Sequence, residues 1–456
     1  MRSIPQSHYT CTGRVFVRLF IPCKGPREMK TTLLVLAGLA LLQQAAAQAS
    51  CNQQTKDYYP STKPQVLSAA SADVTVFFSP DHSVKVLTDL VLSATESIDI
   101  ANPHWKSWID SDCDIQYGPG CYPSEIRGDP FPIWAAVLNA VHSGIKVRFL
   151  TNYCDYEPGE GKIGYYAFLM LNGVELRGYS DTAYMHAKYI AVDGKVASVS
   201  SINFSEDSFM NNREAGVNIE NNPEITGYLG DWFESDFNNG VEWPHPNQTY
   251  SSYDMGVITN TAPIPVIIPA PMINCSYQAP TPAKLPVSGA SITTFLAPDF
   301  AYDTLMSEVK TVQSQLQVMI YEITSDDICT AVETLSTSGV NVTIIVSDNV
   351  VSRRLRGSRG LYTNECYEKL IDAGVDLRKS ATCYSFAHQK FWLTDGVGAG
   401  LSTGNWADTD FPYVGTSPIT SSDADHRDAN MFFKDPAVFQ KFSSLFWEEW
   451  AHSTRY

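Results

Sequence analysis

Short β-branched runs alternate with amphipathic stretches along this chain, and the same order occurs twice. In the first half the pattern predicts a strand over Ser97–Ala101, a helix over Pro132–His142 and a strand over 145–150. In the second half it predicts a strand over 316–321, a helix over 328–336 and a strand over 342–346. Apolar residues at helical spacing close each half, near 225–237 and 439–450. Two further runs alternate with period two. Lys188, Ile190 and Val192 share one face of the first, and Lys390, Trp392 and Thr394 share one face of the second. Strand–helix alternation of this kind implies an α/β fold with a mixed, mostly parallel sheet covered by helices.

The repetition extends to individual residues. Phe77-Phe78-Ser79-Pro80-Asp81 matches Phe295-Leu296-Ala297-Pro298-Asp299, and Asn172-Gly173-Val174-Glu175-Leu176-Arg177 matches Ala373-Gly374-Val375-Asp376-Leu377-Arg378. His186-Ala187-Lys188 with Asp193 then answers to His388-Gln389-Lys390 with Asp395. Each is followed by an Asn in a run of small residues, Ser200-Ser201-Ile202-Asn203 and Ser402-Thr403-Gly404-Asn405. The chain therefore reads as two copies of one unit, 50–243 and 290–456. A Pro-rich segment, 244–289, crosses between them as a stiff linker. Two strand residues separate His from Lys in each copy, so both side chains project from one side.

Composition narrows the setting. At 456 residues, with 44% hydrophobic and 18% charged positions, the chain is globular and too long for one ordinary core. A formal net charge of -17 disfavours broad attraction to duplex nucleic acid or anionic membranes. Within the extension 1–49, Lys30, the apolar stretch 33–42 and Ala47-Gln48-Ala49 read as a secretion signal with its cleavage site; a type II membrane anchor is the alternative. Residues 1–28 read as a basic flank or an upstream start. Cys51, Cys113, Cys121, Cys154, Cys275, Cys329, Cys366 and Cys383 follow the cleavage site, an even number that fits disulfides in an exported protein. Cys113 and Cys121 could close a short loop, and no spacing fits a structural zinc site. Asn247, Asn274 and Asn341 sit in glycosylation sequons.

The duplicated His-x-Lys-x4-Asp with a later Ser/Thr-x-Asn resembles the phospholipase D superfamily over nearly all of the mature chain. The resemblance implies two phospholipase D-like α/β/α sandwich domains packed about a pseudo-twofold axis around one active site. It implies a phosphodiesterase in which His186 attacks phosphorus and His388 acts as acid and base. Lys188, Lys390, Asn203 and Asn405, with Ser201 and Thr403, are expected to hold the phosphate. A downstream acid is expected to orient each histidine: Glu214 for His186 and, by a more distant match, Asp428 for His388. Asp193 and Asp395 belong to the catalytic motif, and the expectation is that they brace local structure. The usual glycine is replaced by Ser200 and Ser402, which would strain the backbone if a positive φ were required there.

Elementary chemistry agrees with that division of labour. Phosphodiester hydrolysis is so slow uncatalysed that an enzyme must supply about 20 kcal/mol. A nucleophilic and a proton-transferring histidine split the task, and two lysines supply the charge that metals supply elsewhere. No carboxylate pair suited to magnesium stands out, so neither metal nor cofactor is expected. Arg353, Arg354, Arg356 and Arg359 form either an anion clamp or a solvated charge run. Trp105 and Trp108 serve either substrate stacking or the core. The leading expectation is a secreted or lumenal phospholipase D acting on a phosphatidylcholine-like phospholipid, with peripheral membrane contact and no obligate protein partner. The alternatives are a single-strand nuclease taking an oligonucleotide, and a binding protein that has lost catalysis.

Overall fold

One sheet of sixteen strands runs through both halves of the computed structural model. The structure describes residues 61–103, 131–152, 169–170, 172–179, 183–242, 263–350, 363–413 and 425–456. The signal segment, Trp105, Trp108, the Arg353–Arg359 cluster, Asn247 and the cysteines at 51, 113, 121 and 154 lie outside the described residues. The first half supplies β1 (Gln65–Ser79), β2 (Ser97–Ala101), β3 (Lys146–Asn152), β4 (Glu175–Tyr179), β5 (Tyr184–Met185), β6 (Tyr189–Val192), β7 (Val196–Ser200), β8 (Glu214–Glu220) and β9 (Val241–Glu242). The second supplies β10 (Lys284–Leu296), β11 (Gln315–Ile320), β12 (Asn341–Val346), β13 (Asp376–Lys379), β14 (Lys390–Thr394), β15 (Gly398–Ser402), β16 (His426–Arg427), β17 (Ala429–Lys434) and β18 (Thr454–Arg455).

The halves meet at the middle of the sheet. β1 and β10 pair antiparallel, from Gln65 opposite Thr294 to Thr75 opposite Lys284. Outward from β1 the order is β8, β7, β6, β2, β3, β4, β9; outward from β10 it is β17, β15, β14, β11, β12, β13, β18. The two orders correspond strand for strand, so the pseudo-twofold axis passes between β1 and β10. β5 and β16 form a separate small parallel pair, one strand from each half.

Within the large sheet, parallel pairing is confined to β2–β3–β4 and β11–β12–β13. These strands need crossovers, which helices supply: α1 (Ser83–Leu92) leads into β2, and α2 (Pro132–His142) joins β2 to β3. Nearer the centre, tight turns replace crossovers and the strands run antiparallel, so the sheet is mixed with a larger antiparallel share than the alternation implied. The other helices are α3 (Glu206–Met210), α4 (Pro223–Asn239), α5 (Ala301–Lys310), α6 (Asp326–Thr337), α7 (Thr363–Asp372) and α8 (Pro436–His452). Asn222 and Asp435 cap α4 and α8 through their side chains, each ahead of a Pro at the first helical turn.

The motif aspartates have a plain role in this framework. Asp193 and Gly194 have φ of 54° and 61°, and Asp395 and Gly396 have 48° and 73°. An Asp-Gly pair with positive φ at both positions makes the tight turn that matches the sheet twist, here between β6 and β7 and between β14 and β15. The Asp193 carboxylate accepts from the backbone N–H groups of Thr95, Glu96 and Ser97, and so fixes the start of β2. Asp395 does the same for Gln313, Ser314 and Gln315 ahead of β11. Five residue steps along extended chain, about 16 Å, separate these aspartates from the motif lysines. They sit at the far end of the strand from the histidines and take no part in the site.

Each half has a core on its outer helical side. In the first, Ile98, Ile100, Trp134, Val147 and Phe149 pack together; in the second, Leu316, Val318, Val332, Ile344 and Trp392 do. A third cluster belongs to both halves and joins Val217, Trp232 and Phe233 to Phe391, Phe433 and Phe442. The crossing segment is tied to each half. Ile264 exchanges two hydrogen bonds with the Asn139 side chain, and Cys275 is bonded to Cys383. A second disulfide joins Cys329 to Cys366 between α6 and α7.

Candidate active site

The two His-x-Lys segments lie where the halves grip each other. The sequence pattern puts each inside a strand; the structure places both histidines just ahead of β6 and β14, where the chain is free to bond across the axis. The N–H groups of His186 and Ala187 donate to the carbonyl of Arg427. Those of His388 and Gln389 donate to the carbonyl of Arg213. Each motif is thus clamped to the other half's Arg-carboxylate strip, Arg213-Glu214 or Arg427-Asp428.

That clamp exchanges the histidine partners. Glu214 was expected to orient His186, and Asp428 His388. Instead Nδ1 of His186 lies 3.0 Å from Asp428, and Nδ1 of His388 lies 2.9 Å from both oxygens of Glu214. The reason is topological: β8 and β17 start on either side of the axis, so each strip's first carboxylate faces the opposite motif. Because a carboxylate only accepts, Nδ1 carries the proton in each ring and Nε2 keeps its lone pair.

Ser201 and Thr403 are also corrected. Both are fully buried, and their hydroxyls donate to Glu214 and Asp428 respectively. They hold the orienting carboxylates and are not available to phosphate. Ser200 and Ser402, in the usual glycine position, end β7 and β15 and are not among the described residues with positive φ, so the expected strain is absent. Their hydroxyls accept from Ile202 and Gly404 N–H and tighten the turn instead.

The lysines are deeply enclosed. Lys188 is 2% exposed and Lys390 0%. Each ammonium donates to the carbonyl of the histidine two residues before it, and Lys188 also reaches Thr403 O at 3.2 Å. Burial pushes Lys188 down to about 7, with Asp428 opposing and the charge of Lys390 reinforcing. Burial likewise pushes Lys390 down to about 8 against the pull of Glu214 and Asp410. His388 falls to about 4, again chiefly by burial, with Glu214 opposing. Burial would raise Glu214, but the charge and hydrogen bond of His388, with Lys390 and Ser201, hold it below the usual carboxylate range. Asn203 and Asn405 are half-buried, and the Oδ1 of each has no hydrogen-bond partner among the described residues. A pocket short of solvent, with buried cations and unspent amides, is built for an anion.

Each strip also carries an arginine, Arg213 or Arg427, at the same place in the repeat. Arg213 is fully buried and bonds Asp81, Ser79 O and, 2.7 Å away on α8, Glu449. Arg427 bonds Asp299 at 2.6 Å and Asp236 on α4 at 2.8 Å. This explains the repeated Ser/Ala-Pro-Asp. Its aspartate anchors the strip arginine, while the second acid comes from the other half's last helix. The Tyr277 and Tyr384 hydroxyls both donate to the second oxygen of Glu449.

One side of the site carries additional groups. Asp410, 1% exposed, places Oδ1 3.2 Å from Nδ1 of both His186 and His426. Burial would raise Asp410, but His426 and His186 hold it well below the carboxylate range; burial would lower His426, but Asp410 raises it. No repeat signal announced this pair, because the first half has nothing to match Asp410. Donor atoms of His186, Asp410, His426 and Asp428 lie within 4.8 Å of one another, a set whose chemistry suits a transition ion. The carboxylates accept from Thr403, the Asn405 N–H and Thr409, while Asp428 Oδ2 is left without a hydrogen-bond partner among the described residues.

The comparisons with known proteins fit this geometry. A family model described as "Cardiolipin synthase, PLD-like domain" matches twice, over 87–237 and 305–450. The mitochondrial cardiolipin hydrolases of Mus musculus and Homo sapiens are 34% and 33% identical over 87 residues, 19% of this chain. The chain spans only about a third of those relatives, 38% and 33% of their lengths. The phosphatidylserine synthase of Haemophilus influenzae Rd KW20 shares the fold at 12% identity and a TM-score of 0.53, over 91% of this chain and 92% of that one. With the family model matching once in each half and over more than half of its length, the chain belongs to the phospholipase D superfamily.

Proposed function

We propose that this chain hydrolyses a phosphodiester in two steps through a covalent phosphohistidine. Nε2 of His186 bonds to phosphorus as the bond to the leaving oxygen breaks, and His388 gives that oxygen its proton. His388 then takes a proton from water, the water oxygen bonds to phosphorus, and the P–N bond to His186 breaks. Lys188, Lys390, Asn203 and Asn405 hold the non-bridging oxygens and offset the developing charge. Asp428 and Glu214 fix the tautomers of His186 and His388.

The observation that carries this reading is the exchange itself. Two histidines, each held at Nδ1 by a buried carboxylate of the opposite half, flank two buried lysines whose charge is under strain. A bound phosphodiester supplies the negative charge that relieves both lysines and favours protonation of His388.

A phospholipid such as phosphatidylcholine is the proposed substrate, cleaved to phosphatidate and a free head group. The names of the matched relatives, which act on cardiolipin, support a lipid. The two disulfides among the described residues fit the proposed secreted or lumenal setting. Among the described residues no helix is long and apolar enough to cross a membrane. The arginine cluster at 353–359 favours the second reading, a single-strand nuclease.

The test is turnover by the purified protein, in EDTA, of phosphatidylcholine vesicles and of short single-stranded DNA, with His186→Ala as control. The expected result is lipid hydrolysis that falls about 10³-fold or more in the variant. DNA cleavage alone replaces the lipid with the nuclease reading. Equal inertness of both proteins on both substrates, from acid to alkaline pH, overturns the hydrolase reading.

A further inference from the structure

We infer that His426 and Asp410 form a positioning pair for His186, a second support absent from the His388 side. The inference rests on the reading that His186 attacks phosphorus. The pair is built from three observations. First, one oxygen of Asp410 faces Nδ1 of both His186 and His426 at 3.2 Å, and the two rings lie 4.6 Å apart at a 44° tilt. His186 is therefore held at its edge by Asp428 and Asp410 and along its face by His426.

Second, the backbone leaves room for the extra carboxylate. A Cβ at Gly404 would lie 2.6 Å from Asp410 Oδ1 and 2.7 Å from Asp428 Oδ2. The matching residue of the first half is Ile202, whose side chain is buried in the outer core. Third, His426 itself marks the difference between the strips: the first half carries Asn212 there, which donates to Glu214. Tyr184, the register partner of His426 in the β5–β16 pair, packs 5.4 Å from the His426 ring and 6.2 Å from that of His186.

The chemistry gives such a pair a task. When His186 Nε2 bonds to phosphorus, its ring becomes cationic while keeping the Nδ1 proton. Asp410 adds a second acceptor for that proton, and His426 keeps Asp410 in place by pairing with the same oxygen. The benefit falls on formation of the intermediate, so it appears in kcat with little change in KM.

The first experiment replaces His426 with Asn, the residue the first half uses, and follows hydrolysis together with the downfield Nδ1 proton resonances of both motif histidines. The expected result is a kcat lower by about 10–100-fold, the range for loss of a group that orients a functional histidine, with KM within about twofold. The His186 resonance moves and the His388 resonance does not. Asp410→Asn, read the same way, covers the case in which His426→Asn folds poorly, and should move the same resonance. Wild-type kcat and an unmoved His186 resonance in folded variants overturn the inference, whatever the substrate proves to be. Loss of activity on EDTA treatment with restoration by zinc also overturns it, in favour of an ion bound by these four residues. Failure of the hydrolase reading is separately visible, as wild-type inertness with His186 and His426 still coupled in the spectrum.

Discussion

The two motif histidines share a backbone plan and differ in what surrounds them. His388 has one acid, Glu214, bound through both oxygens, and the edge of Tyr321 at 5.1 Å. His186 has two acids and a neighbouring imidazole. A twofold backbone therefore carries two different histidine environments. The repeat accounts for the pair of rings and lysines, and a few differences on one strip set their surroundings apart.

The comparison breaks most sharply at the histidines themselves. His186→Ala and His388→Ala should each cost about 10³-fold or more in kcat on a substrate with a poor leaving group. On a p-nitrophenyl phosphodiester, whose leaving group needs no proton, His388→Ala should recover far more activity than His186→Ala. Burst kinetics read this directly, and equal recovery would reverse or dissolve the assignment.

The carboxylates come next. Glu214→Gln should lower kcat by about 10²-fold or more, because His388 then loses its only described acid and can present the wrong tautomer. Asp428→Asn should cost less, since Asp410 remains beside His186. A larger loss at Asp428 than at Glu214 would mean that the second acid does not support the ring.

Smaller still is the response to pH. His388 and Lys390 are held low, at about 4 and about 8, so each loses its proton as pH rises through that value. A protonated acid and a charged lysine both favour the acid side, so kcat/KM should rise as pH falls from about 8 toward 5. A maximum above about pH 8 would contradict this. The least effect on chemistry belongs to Asp193→Asn and Asp395→Asn. Loss of charge-assisted bonds to three N–H groups should cost about 1–3 kcal/mol in denaturant melts and leave kcat unchanged.

Much of this was legible in the sequence because it depends on local pattern and repetition. Period-two and helical spacing placed β2, α2, β11, α6 and β12 to within a few residues. The paired motifs picked out the two histidines and two lysines that the structure brings together across the axis. Partner choice was not legible. Glu214 follows His186 in the same unit by the family pattern, yet chain order carries no record of which unit a strip faces across an axis. Ser201 and Thr403 misled for a similar reason, since a hydroxyl near an active asparagine looks like a phosphate ligand until burial shows a carboxylate behind it. Asp410 could not be found at all, because a lone aspartate in a loop gains meaning only from what it touches.

The strips that cross the axis also bear on how the two copies can change. Each copy holds one motif histidine and the acid that bonds the other copy's histidine. A substitution at Arg213 or Glu214 is felt first at His388, nearly two hundred positions away, and one at Arg427 or Asp428 is felt at His186. Neither copy can be retired, exchanged or tuned as a module. A single unit becomes whole only when it meets another across β1 and β10, so two separately expressed halves should be inert apart and active once mixed.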